Sequence, residues 1–147
     1  MSRSDVVEAL GLVVNDAPRE VALENGVVLV MRPPEGKDWV IARAALAEVT
    51  QADKILTAAG RRYGWSARDK IAMADPDVWE TVGVWCLAVE MASLIVSEVY
   101  RLDGDERRSV EASVETFREL FRLGDNLDLF NKAMRSAELD LFQPKKG

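Results

Sequence analysis

The stretch PDVWETVGVWCLAVEMASLIVSEVYRL, residues 76–102, is the most apolar part of the chain, and its reading decides the fold. At helical spacing its apolar residues, from Val78 to Tyr100, cover most of the circumference. A helix apolar nearly all round is one buried by its neighbours. Cys86, Glu90, Ser93, Ser97 and Arg101 recur on the one polar stripe. Asp75 is suited to cap the first turn, and Pro76 to occupy the first helical position, where its missing N–H costs nothing. Asp77 and Glu80 add negative charge at the positive end of the helix dipole. The stretch therefore predicts one central helix over about 76–102. Glu80, Glu90 and Glu98 leave Thr81–Val89 as its longest uncharged run, against the roughly 20 apolar residues of a membrane span. No membrane partner is expected.

Working downstream, Asp103-Gly104 reads as a turn into a helix over about Asp105–Leu123, with Val110, Val114, Phe117 and Phe121 on one face. Gly124 ends it, and Asp125 or Asn126 starts a last helix with the stripe Leu127, Phe130, Met134, Ala137 and Leu141. Pro144 closes that helix and leaves 143–147 as a short basic tail.

Upstream, Asp38 is a candidate cap for a helix over Trp39–Ala59, and Ser66 for a short one ending near Ala74. Residues 19–32 read as a β-hairpin. Asn25-Gly26 supplies the two positive-φ positions of a type I′ turn. A two-residue turn there sets Leu23 opposite Val28 and Val21 opposite Val30, one fully apolar face; Leu29 and Met31 fall on the mixed face. Pro33-Pro34 stops the second strand. A short helix over Ser4–Leu12 opens the chain. The expected fold is mostly α: one domain over 1–147, about five helices around a central apolar helix, with a small N-terminal hairpin at 19–32 and a helical body at 38–142.

Composition narrows the chemistry. The chain holds 25 acidic and 19 basic residues, a net charge of −6, which disfavours nucleic acid as a partner. There is no histidine, so His bases, triads and metal ligands are excluded, and the one cysteine, Cys86, excludes an internal disulfide. The N-terminus has no secretory pattern, and a bacterial cytoplasm is the expected compartment.

Glu90 is the one carboxylate inside the most apolar stretch. Glu98, eight residues on, lies roughly 80° away around a helix, so the two do not form a facing acid–base pair. The expected reading is an Arg-paired or partly exposed Glu90. The acidic residues about Asp103 and Asp125 lack the spacing of a calcium loop, and no phosphate-binding glycine loop is present. Catalytic, cofactor and metal residues are expected to be none. The tryptophans at element boundaries, Trp39 and Trp65, and the pair Leu141-Phe142 are candidate partner contacts, as are Leu29 and Met31 on the hairpin. Free hairpin edges also make homo-oligomerisation a candidate.

The hairpin with its Asn25-Gly26 turn leaves through Arg32-Pro33-Pro34 to Asp38-Trp39 and is followed by a run of helices in an acidic chain. In this order the sequence resembles the tail assembly chaperones of long-tailed bacteriophages and related prophage elements. The resemblance implies a non-enzymatic protein with a helical body. Such proteins bind the tail tape measure protein, recruit tail tube subunits to it, and leave before the particle is complete. The same features also suit a different class, a virion structural or connector protein or a small helical adaptor.

Overall fold

In a computed structural model, residues 3–49, 62 and 76–145 are described. The apolar stretch does not form one helix. Helix α3, Pro76–Ile95, passes without a loop into strand β4, Val96–Asp103. Val96, Val99 and Tyr100 are β-branched or aromatic and suit a pleated, half-buried surface better than a helix. The helix end is held from outside: the Arg32 backbone N–H donates to the Ile95 carbonyl at 3.0 Å, and the Arg32 guanidinium reaches the Leu94 carbonyl at 3.4 Å. These are carbonyls that a helix C-terminus leaves without partners of its own.

The expected helix over Asp105–Leu123 is likewise divided. Its first part is strand β5, Glu106–Val110, and its second is helix α4, Val114–Leu120. Ser113 caps α4, its hydroxyl oxygen accepting from the Thr116 N–H. The architecture is therefore mixed α/β rather than mostly helical. A four-stranded antiparallel sheet has the order β2 (Arg19–Ala22), β3 (Val27–Met31), β4, β5, and a two-stranded sheet pairs β1 (Leu12–Val14) with β6 (Phe142–Pro144). What reads as a basic tail at 143–147 contributes β6, antiparallel to the chain's own N-terminal segment.

The hairpin forms with its turn at Asn25-Gly26, both at positive φ (61° and 78°), but its register differs from expectation by one residue. The Val27 N–H donates to the Glu24 carbonyl, and the Leu23 N–H donates to the Val27 carbonyl at 2.7 Å. Leu23 and Glu24 thus both oppose Val27, which is a one-residue bulge. Val21 then lies opposite Leu29 rather than Val30. A slip of one residue exchanges the faces of a strand. Leu29 and Met31, not Val28 and Val30, join Val21 and Leu23 in the core.

Helices cover that inner face. Helix α5, Asn126–Leu139, packs near β2, and its stripe Phe130, Met134 and Ala137 is buried as its spacing predicts. Phe130 stacks on Phe121 with ring centroids 5.1 Å apart, and Phe121 on Phe117 at 5.8 Å. Burying a phenylalanine fully contributes about 2–3 kcal/mol, and Phe117 and Phe130 have no exposed surface.

Helix α2, Gly36–Val49, starts earlier than the expected cap at Asp38. Asp38 is its third residue and reaches back to accept from the Glu35 N–H at 2.8 Å, the reciprocal half of a capping box. The same carboxylate takes a two-pronged contact from Arg32, both arms at 2.7 Å. The remainder of the expected 39–59 helix, and the one near 66–74, lie outside the described residues. Helix α1, Arg3–Ala9, ends before Gly11, which takes φ +69°.

Candidate partner-binding surface

The Asp103-Gly104 turn signal marks a hairpin rather than a helix junction. Asp103 pairs with Glu106 across the two-residue turn Gly104-Asp105, with Gly104 at φ +63°. This places β5 at the sheet edge. All five of its residues are exposed, and among the described residues no strand pairs with its outer side.

The two faces of the sheet differ at this edge. On the outer face the Tyr100 hydroxyl donates to Glu20 Oε1 at 3.0 Å, the Arg107 guanidinium lies over the Tyr100 ring at 3.7 Å from its centroid, and Arg107 pairs with Glu98. The bond to Glu20, together with burial, raises the Tyr100 hydroxyl above its ordinary pKa. That face is closed by side chains already partnered with one another.

The inner face is open here. Val27, Arg101 and Arg108 lie in one cross-strand row and Val99 and Val110 in the next. With Leu120 of α4 they line a cleft of about 240 Å³. Val110 is 58% exposed, whereas Val21, Leu29, Met31 and Val99 on the same face are buried. The Arg101 Nε donates to the Asn25 carbonyl at 2.8 Å, which anchors the side chain. Among the described residues no carboxylate pairs with it, whereas Arg108 is engaged by Asp103 at 3.1 Å and Glu106 at 3.3 Å. An apolar cleft with one anchored, uncompensated cation can hold an apolar group and a carboxylate side by side.

The residues singled out from the sequence do not gather on one surface. Leu29 and Met31 have no exposed surface. Trp39 is half-buried, and its indole N–H donates to Glu138 Oε1 at 2.6 Å, tying α2 to α5. The Glu138 carbonyl accepts from the Leu141 N–H at the end of α5, and Leu141 is buried. Phe142 is 42% exposed and sits in β6 opposite Val14. Trp65 lies outside the described residues. The cleft residues were missed because β5, with the sequence ERRSV, carries no alternation of its own; the available signal was Gly104-Asp105 following a segment with the strand-favouring Val96, Val99 and Tyr100.

Two groups with chemical potential are accounted for by packing. Glu90 is buried and takes a two-pronged contact from Arg62, one arm at 2.7 Å. The Arg62 carbonyl accepts from Arg118 Nη1 at 3.1 Å. Burial, and secondarily the Glu90 charge, push the Cys86 thiol far above its usual pKa, away from the reactive thiolate. Among the described residues no three His, Cys, Asp or Glu side chains cluster as metal ligands, and no helix is long and apolar enough to cross a membrane. No protein-family model matches this chain, no characterised protein matches it in sequence, and no solved structure matches its fold.

Proposed function

We propose that this chain is a non-enzymatic protein that binds another polypeptide, and that it acts as a tail assembly chaperone, holding the tape measure protein of a phage tail and recruiting tail tube subunits to it in the bacterial cytoplasm. The observation that carries the binding role is the uncovered end of the sheet's inner face. There an apolar cleft stands beside a strand edge that is unpaired among the described residues, on an otherwise acidic protein. Exposed apolar surface beside unpaired backbone is costly to leave in water, and suits a surface that a partner covers for part of its life. The sealed Glu90 and the suppressed Cys86 thiol favour binding over catalysis. The tape measure and tube assignments rest on the sequence order Asn25-Gly26, Arg32-Pro33-Pro34, Trp39.

Two measurements test this reading. Co-expression with a tape measure protein from the same genome is expected to keep that protein soluble and to co-purify the two. Mass spectrometry of finished particles is expected to find the chain absent. Its presence in stoichiometric amount would assign it to the virion structure instead.

A further inference from the structure

Taking that binding role as the premise, we infer that the cleft between β5 and α4 receives an amphipathic helix of the partner, which lays apolar side chains against Val27, Val110 and Leu120 and sets a carboxylate on Arg101. Three observations select this occupant. First, the inner-face residues Val21, Leu23, Leu29, Met31 and Val99 are buried in the core, and α4 forms one wall of the cleft at which that burial stops. A further helix beside α4 extends that burial; a sheet–helix interface of this kind is the ordinary way to bury such a face. Second, the cleft sets the aliphatic Val27, Val110 and Leu120 beside Arg101 and Arg108, which fits an apolar helical stripe flanked by acidic residues. Third, Arg101 is held in place by the Asn25 carbonyl and has no carboxylate partner among the described residues. A carboxylate brought to it gains a charge-assisted bond without breaking an existing ion pair.

A second copy of this chain is a poorer occupant. Antiparallel pairing of β5 with its copy over all five residues centres on Arg108 and sets that cation directly opposite itself, and like charges so placed are destabilising.

The test uses the full chain, isotopically labelled, and a helix-stapled peptide of Leu, Ala and Glu with one apolar stripe and glutamates one turn from it. A matched peptide carries Lys in place of Glu. Titration is expected to move the amide signals of Val27, Val99, Arg101, Val110 and Leu120. Binding by the Lys peptide is expected to be at least tenfold weaker. Arg101→Gln, which touches only an exposed hydrogen bond and is checked for an unchanged melting profile, is expected to weaken the Glu peptide about fivefold or more and to leave the Lys peptide unaffected.

Equal binding of the two peptides, no binding at millimolar peptide, signals moving only at another surface, or an Arg101→Gln variant that binds like the parent would overturn the inference. So would a concentration-dependent dimer that Val110→Lys dissociates, since a second copy would then hold the cleft. Co-purification with the tape measure protein is read separately, so a chaperone that uses another surface is distinguished from a protein that is no chaperone.

Discussion

The buried Asn126 side chain holds the backbone of Glu24, a residue 102 positions earlier, by accepting its N–H on Oδ1 at 2.8 Å. That N–H is the one the hairpin bulge leaves out of the ladder. The other end of the amide, Nδ2, donates to the Leu120 carbonyl at 3.0 Å. One side chain thus joins the hairpin turn, the end of α4 and the start of α5. Asn126→Ala leaves a donor and an acceptor without partners in a buried place, at an expected cost of about 2–3 kcal/mol. Urea denaturation measures it, and a loss under about 0.5 kcal/mol would show that the bulge is held by packing instead.

Gly124 lies beside the same junction at φ +50°, and a Cβ there would overlap the Glu24 carboxylate. Gly104, at φ +63°, has open space around it. Gly104→Ala therefore reports backbone strain alone, about 1 kcal/mol. Gly124→Ala is expected to cost only a little more, because the Glu24 carboxylate is the far end of a flexible side chain that can swing aside, and Glu24→Ala to restore that difference in the double variant. Equal costs at the two glycines in thermal melts would remove the steric contact from the account.

Asp38 is nearly fully buried, and its carboxyl is held below the ordinary carboxylate pKa by the bond from Arg32, against the opposing effect of burial. A carboxyl whose pKa is lower folded than unfolded binds fewer protons when folded. Its stabilisation is present above the unfolded value of about 4 and is lost as pH falls through the folded value. Stability is therefore expected to drop on acidification below about pH 4, and the drop to be shallower in Asp38→Asn. That variant also loses the ion pair. Because Arg32 is 39% exposed the cost at neutral pH is expected to be about 1–3 kcal/mol, short of that for a fully buried pair. Denaturant midpoints between pH 3 and 7 give both numbers; parallel curves for parent and variant would refute the pH assignment.

Cys86 has no exposed surface and a thiol displaced upward by burial. Iodoacetamide at pH 8 is expected to leave it unmodified in the native protein and to alkylate it fully in urea. Native alkylation at the unfolded rate, followed by mass, would place the thiol at the surface.

The sequence could be read wherever a local pattern had only one outcome. Asn25-Gly26 formed its turn because only such a pair takes two positive φ angles cheaply. The α5 stripe, Phe130, Met134 and Ala137, was buried as spaced, because its polar neighbours leave only one face to hide. The stretch 76–102 had two outcomes. A segment buried on all sides looks alike as helix or strand, and periodicity does not separate them. For the same reason Val110, Val114, Phe117 and Phe121, which fall at helical spacing, were divided between β5, α4 and the C-cap of α4.

By itself, then, the sequence determined the turn at Asn25-Gly26, the helix start at Pro76, the amphipathic face of α5 and the removal of histidine chemistry. Only the tertiary structure decided that the apolar stretch changes from helix to strand at Val96, that a bulge turns Leu29 and Met31 inward, and that ERRSV becomes an edge beside an open cleft. Each of those outcomes depends on hydrogen-bond partners far away in the chain: Arg32 for the helix end, Asn126 for the bulge, and β3 for β4, the strand on which β5 then folds back. Local spacing carries no record of such partners, because the backbone groups they satisfy are the same in every residue.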